Sequence, residues 1–350
     1  MPNPVLTPAI ERVASGGDLD LEEAQRVLDE IMAGNASHVE IAGFLIALRT
    51  KGETADEIAG LATAMRSHAA SIRTERPGLV DIVGTGGGAL TFNVSTTAAF
   101  VIAGAGCAVA KHGNRSATSK SGAADLLEAL GATIDLEPER TAALIDELGF
   151  GFLFAPRYHA ATRYVIPVRK DLAVRTVFNI LGPLTSPVAA PRQVIGVGYP
   201  NVIDRMADAI SRLGTERTLL VRSDDGLDEI SIAAPSVVYE VTPDGVRDYR
   251  VTPEQLGLTA YDLDAVRGAT PAENAAVTRR VLSGDDSPET RPATELVVAN
   301  AGAGILVGGG ADTLADGVEV AREAIRSGAA HLLMEQFVTR TTELAGVTPA

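Results

Sequence analysis

Up to about Ser71 the apolar positions recur at helical spacing. Ala24, Val27, Leu28, Ile31 and Met32 form one stripe, and Ile41, Phe44, Leu45 and Leu48 form the next. Three stretches open on a capping-box pattern, Asp20-Leu-Glu-Glu23, Ser37-His-Val-Glu40 and Thr54-Ala-Asp-Glu57, in which an Asp, Ser or Thr side chain caps the first free N–H groups and a Glu reaches back. These residues predict a helical unit without strands. So small a bundle leaves apolar faces uncovered, which makes it a docking surface for a partner or a second copy.

After Pro77 the pattern changes to short apolar runs that end in glycine and lead into helical spacing. Leu79–Val83 reads as a strand, followed by a helix near Ser95–Gly104, a strand at Ala108–Ala110 and a helix at Ser121–Leu130. The alternation continues through Phe150–Phe154, Val194–Gly198 with helix Val202–Leu213, and Thr218–Arg222. It predicts βαβ units and a mostly parallel sheet flanked by helices. Between Asp224 and Val251 the reading shifts to hairpin-like strands, Ile230–Ala233 and Val237–Val241, with a turn at Pro243-Asp-Gly245. Helices are expected at Ala272–Leu282, Thr294–Leu306 and Leu314–Ser327, with a polar loop at Ser283–Pro292. There is no internal repeat and no low-complexity tract.

Composition narrows the function. The 350 residues suffice for one large or two ordinary domains, and the chain is 46% hydrophobic with 35 glycines, no tryptophan and 4% aromatics. A formal charge of −15 argues against nucleic acid, which selects a basic field and stacking rings. An anionic ligand then needs a local cluster of cations, backbone N–H groups or metal. The single cysteine, Cys107, sits in the apolar run Val101–Ala110 and reads as a small buried hydrophobe. Met1–Leu21 lacks a basic patch followed by an apolar core, and no run is long enough to span a bilayer. The expectation is a cytoplasmic enzyme with no membrane or nucleic-acid partner.

Three loops carry chemistry. Strand Leu79–Val83 runs into Gly84-Thr85-Gly86-Gly87-Gly88, and a helix opens near Asn93-Val94-Ser95-Thr96. Glycines let N–H groups approach an anion, and a helix N-terminus adds its own. By itself such a turn is as often structural. Next, Lys111-His112-Gly113-Asn114-Arg115 through Ser119 supplies two cations, a histidine and hydroxyls at the same sheet edge, where ligands bind in α/β folds. The alternative there is a solvated basic loop. Finally, the run Asp224–Ile230 offers hard oxygen ligands suited to magnesium, or equally a hairpin turn with surface acids.

Together these residues resemble the anthranilate phosphoribosyltransferases along nearly the whole chain. The likeness rests on Asp81–Gly87, Thr91–Thr96, Lys111–Arg115, Ser121–Asp125, Phe154–His159, Pro167–Arg169, Arg175–Leu184 and the Asp228-Glu229 pair. It implies a nucleoside phosphorylase/phosphoribosyltransferase type α/β fold: a helical dimerisation domain at 1–75, joined by about 170–190 to an α/β catalytic domain of 76–169 and 191–346. It also implies transfer of phosphoribosyl from 5-phosphoribosyl 1-diphosphate to the amino group of anthranilate in tryptophan biosynthesis, with two magnesium ions, by a homodimer. On this likeness the donor falls to Gly84, Thr85, Gly86, Gly87, Gly88, Thr91, Asn93, Val94, Ser95, Thr96, Lys111, His112, Gly113, Asn114, Arg115 and Ser119. Anthranilate falls to Gly84, Asn114, His159 and Arg175, with Arg175 on its carboxylate, and magnesium to Ser95, Asp228 and Glu229. No residue is assigned as acid or base; Arg175, His159 and Asn114 are expected to position.

The chain departs from the family's usual pattern at the glycine turn, which is one residue shorter and lacks an Asp. Ala160 and Thr162 stand for Pro and Met, Ala173 for Gly, and Ser116, Thr118, Ala123 and Ser186 are milder changes. These departures leave open a different aromatic amine as acceptor and a noncatalytic binding relative; a pyrimidine-nucleoside phosphorylase is a further alternative on similarity of fold, against which the Lys111–Arg115 and Arg175–Asn179 runs count.

Overall fold

The computed structural model describes residues 2–116 and 120–346; Ser119 lies outside them. Four helices come first, α1 (Leu6–Ala14), α2 (Leu21–Met32), α3 (His38–Lys51) and α4 (Ala55–Ser67). The capping boxes of α2, α3 and α4 form as the sequence indicates. The sequence reading passes over α1, whose N-cap Val5 has no capping side chain. Asn3 does the capping instead, its Oδ1 accepting from the N–H of Val5 (2.8 Å) and Leu6 (2.9 Å).

Then follow β1 (Val80–Gly84), α5 (Val94–Gly104), β2 (Val109–Gly113), α6 (Ala123–Ala129), α7 (Pro138–Leu148), β3 (Phe150–Phe154) and the short helices α8 (Ala155–Tyr158), α9 (Ile166–Leu172) and α10 (Phe178–Leu181). The chain continues through β4 (Arg192–Gly196), α11 (Ile203–Leu213), β5 (Arg217–Ser223), β6 (Ser236–Thr242), β7 (Gly245–Val251), α12 (Pro271–Leu282), α13 (Arg291–Gly308), α14 (Leu314–Arg326) and α15 (Ala329–Ala345). The seven strands order as β3-β2-β1-β4-β5-β6-β7. The first five run parallel, and β5-β6 and β6-β7 pair antiparallel.

The expected strand at Ile230–Ala233 is absent. Ile230 and Ile232 are buried, which accounts for the alternation, but side chains satisfy the backbone here. Asn300 accepts from Ile230 N–H (2.9 Å) and donates to its carbonyl (3.1 Å), and Ser236 Oγ accepts from Ser231 N–H. The hairpin is β6-β7, turning at Pro243–Gly245.

The central strands divide their side chains between two faces of the sheet, as period-two alternation requires. Val80, Ile82, Val109, Phe152, Leu219 and Val221 pack with α5, α13 and α15. Ile195, Val197, Leu220 and Val241 face the other way, into a layer shared by α1 to α4, α9 to α11 and the segment around Val177 and Leu184. The helical unit thus buries its stripes against the sheet-bearing part of the chain.

Candidate functional site

The parallel register sets Gly84 of β1 beside Gly196 of β4, so the loops leaving β1 and β4 meet at one sheet edge. Thr85 N–H donates to Gly196 O (2.8 Å), Gly198 N–H donates to Thr85 Oγ1 (2.9 Å), and Ala89 N–H donates to Gly226 O (3.0 Å). The glycine turn is therefore stitched to the loop after β4 and to the loop after β5. Only glycine fits at 196, where a Cβ would lie 1.7 Å from Asp228 O.

Asp228 reaches into this turn, its Oδ2 accepting from Gly86 N–H at 3.0 Å. Glu229 accepts from Thr91 Oγ1 at 3.3 Å. Ser95, Gly84, Asp228, Glu229 and Asn300 line one small cavity of about 50 Å³. The three residues expected to hold magnesium are thus brought together. Both acids keep an edge to solvent, yet their carboxyl groups are enclosed. Loss of water raises the affinity of each for its proton, and the neighbouring Asp228 charge adds to the effect at Glu229. Two adjacent, poorly solvated carboxylates and a hydroxyl suit a hard cation that completes its shell with water and donor oxygens. Among the described residues no group of three or more His, Cys, Asp and Glu comes together to hold a metal.

Lys111 and Arg115 do not stand out as two exposed cations. Lys111 is buried, its Nζ donating to Ile82 O (2.6 Å) and Ser95 Oγ (3.4 Å). Arg115 binds Glu128 and Asp125 of α6 and lies over the Phe154 ring. Arg115 is thus engaged with the acids of α6, and Lys111 places its charge beside Ser95 at the start of α5. Asp81, passed over inside an apolar run, is fully buried and takes His112 N–H at 3.0 Å. Burial raises the Asp81 pKa and lowers that of Lys111, each charge opposing the shift of the other.

Asn93 commits its side chain to structure, bonding Ser121 and Asn274. It precedes α5, whose first turn holds Val94, Ser95 and Thr96; the Thr96 hydroxyl is buried without a partner. Asn114 is exposed after Gly113, the last residue of β2, and caps Arg115 N–H. Among the acceptor residues, His159 is buried with its ring 5.2 Å from that of His112. Burial lowers the pKa of His159 to about 4 and that of His112 to about 3, so both imidazoles are neutral. Each leaves Nε2 without a partner. Arg175 is exposed and borders a separate pocket of about 500 Å³ with Arg49, Glu53, Asn179 and Tyr199. Arg49 donates to its carbonyl at 2.8 Å, so the end of α3 joins this pocket. Tyr199 escaped the sequence reading because nothing in its local pattern marks it.

Residues 76–331 match the α/β domain model of a glycosyl transferase family, and residues 7–69 match its helical bundle domain. The anthranilate phosphoribosyltransferase of Symbiobacterium thermophilum is 47% identical over 329 residues, 94% of this chain and 95% of its own. The crystal structure of that enzyme from Thermus thermophilus superposes with a TM-score of 0.89 at 47% identity, covering 95% of this chain and 99% of the other. The Saccharomyces cerevisiae enzyme in complex with PRPP and Mg gives 0.88 at 30% identity, covering 97% and 98%. Agreement of this extent, over both the helical and the sheet-bearing parts, places the chain in the anthranilate phosphoribosyltransferase family.

Proposed function

We infer that the chain transfers phosphoribosyl from 5-phosphoribosyl 1-diphosphate to the amino group of anthranilate, releasing diphosphate, in tryptophan biosynthesis. The observation that carries this is the convergence of Gly84, Ser95, Asp228 and Glu229 on one cavity beside the glycine turn. Relatives that share 47% identity bear that activity in their name, and the yeast relative takes PRPP with Mg and, in another structure, 4-fluoroanthranilate.

Breaking the ribose C1–O bond leaves positive charge on the sugar and negative charge on the departing diphosphate. Once diphosphate has taken its place, the turn N–H groups, the first turn of α5 and the buried Lys111 charge would be set before the C1–O bond breaks, so they would stabilise the leaving group without further reorganisation. Ser95, Asp228 and Glu229 would hold magnesium, which neutralises diphosphate charge when bound. An aromatic amine is neutral at pH 7, so placing it against C1 supplies much of the acceleration; proximity is worth up to about 7–11 kcal/mol in favourable cases. Arg175 would orient the acceptor carboxylate, and neutral His159 and His112 would shape the pocket and accept hydrogen bonds.

We further assign two magnesium ions per donor, a cytoplasmic location and a homodimer. No helix among the described residues is long and apolar enough to cross a membrane. For the dimer, Val39 (81% exposed) and Ile46 on α3 adjoin α9, where Ile166 and nearby Val174 are also exposed. Sedimentation of the wild type and Val39→Glu tests it; an unchanged monomer in both removes the dimer. A steady-state assay with anthranilate, donor and magnesium tests the function. Absence of product with anthranilate, alongside turnover of another aromatic amine, would overturn the acceptor, and phosphorolysis of thymidine would overturn the reaction.

A further inference from the structure

Tyr199 lies where the donor turn and the acceptor arginine approach each other. It follows β4 by three residues, and its ring lies under the Arg175 guanidinium, 4.9 Å from carbon to centroid. Its other neighbour is Gly87, where a Cβ would fall 2.5 Å from the phenol oxygen and 2.7 Å from the ring. Gly87 also has φ +84°, so the turn needs glycine there both for its backbone and for the packing of Tyr199. One aromatic ring thus touches the turn on one side and the cation on the other.

The turn is held by the bond from Gly86 N–H to Asp228 Oδ2. An entering diphosphate competes for that N–H, because a phosphate oxygen is as good an acceptor and brings more charge. Exchange of the partner at Gly86 would shift the adjoining Gly87, against which Tyr199 is packed. Arg175 is exposed and forms no ion pair among the described residues, so the ring beneath it is a main restraint on its guanidinium. We propose that Tyr199 is a positioning residue that couples occupancy of the glycine turn to the placement of Arg175, so that the arginine meets the acceptor carboxylate once diphosphate is bound. The proposal rests on the phosphoribosyl-transfer reading above. Coupling of this kind is reciprocal between the two ligands.

Calorimetric titration of anthranilate, with and without saturating inorganic diphosphate and magnesium, reads this directly, since no ribosyl group is present and nothing turns over. In the wild type and in Tyr199→Phe, which keeps the ring, diphosphate tightens anthranilate by about fivefold or more. In Tyr199→Leu the ratio falls to about 1, and KM for anthranilate rises with kcat held within about twofold. Tyr199→Met carries the same expectation if Tyr199→Leu does not fold. A wild-type ratio near 1, full coupling in the Leu variant, or loss of coupling in the Phe variant each overturns the proposal. Wild-type turnover with the complete donor is followed in parallel. Absence of turnover removes the functional reading, whereas turnover without coupling counts against Tyr199 alone.

Discussion

Asp228 Oδ2 accepts the backbone N–H of Gly86 at 3.0 Å across 142 residues of sequence. A turn with no acid of its own thus borrows one from the loop after β5. The same carboxylate is proposed as a magnesium ligand, so it would pass from the turn to the metal when the donor binds.

Replacing Asp228 by Asn keeps an oxygen for Gly86 N–H and removes the charge. Apparent affinity for the magnesium–donor pair should fall at least about tenfold, because one of two anionic ligands is lost. The free protein should become more stable by about 1 kcal/mol, since the carboxylate is held where burial disfavours its charge. Donor titration and thermal unfolding measure the two effects. Equal donor affinity in the variant would show that Asp228 does not hold the metal.

His112 and His159 should set the acid limit of stability. Burial lowers their pKa values to about 3 and about 4 from the ordinary 6.5, so the unfolded chain takes up protons that the folded chain refuses. Stability is full above about pH 6.5 and declines as pH falls towards about 4, by about 1.4 kcal/mol per pH unit for each ring. In His159→Gln the slope should be roughly halved. Urea unfolding between pH 7 and pH 4.5 gives the slopes, and an unaltered slope in the variant would refute the assignment.

How much of this was legible follows from where each signal sits. The capping boxes at Asp20, Ser37 and Thr54 are local, and so are the helices they start. By contrast, α15 follows a left-handed Gly328 with no capping side chain, and Asn3 acts on α1 from outside the usual spacing. Ile230–Ala233 imitated a strand because burial alternates there while Asn300, 70 residues away, satisfies the backbone. Within the site, Ser95, Asp228 and Glu229 could be grouped through the family likeness. The burial of Lys111 over Asp81 and the contact of Tyr199 with Gly87 depend on tertiary packing that no local pattern encodes. A charged residue inside the apolar run Leu79–Val83 was the available signal for Asp81.

Ala173 should be a point of relievable strain. It ends α9 in the left-handed region, φ 51° and ψ 27°, and its N–H closes on Arg169 O at 3.1 Å. That conformation costs an L-residue with a Cβ about 1–2 kcal/mol, while glycine adds about 0.4–1 kcal/mol of freedom to the unfolded chain. Ala173→Gly should therefore stabilise by roughly 0.5–1 kcal/mol. A decrease in the urea midpoint would contradict it.

Lys111 and Asp81 provide the strictest test, because the pair predicts how a mutational effect changes with pH. Each is buried and each opposes the pKa shift that burial imposes on the other. Lys111→Met removes the positive charge and the bond to Ile82 O, leaving Asp81 enclosed without it. A stranded buried charge costs about 3–5 kcal/mol, but the carboxyl can escape that cost by binding a proton. With its pKa raised further, the variant should lose little stability at acidic pH and progressively more as pH rises through that pKa. Asp81→Asn in the same background removes the titrating group, so the double variant should be more stable than Lys111→Met at pH 8 and should lose the pH dependence. Donor affinity should fall in both, since the positive charge beside Ser95 is gone in each. A loss of stability in Lys111→Met that is the same at pH 5 and pH 8 would mean that Asp81 does not carry the uncompensated charge.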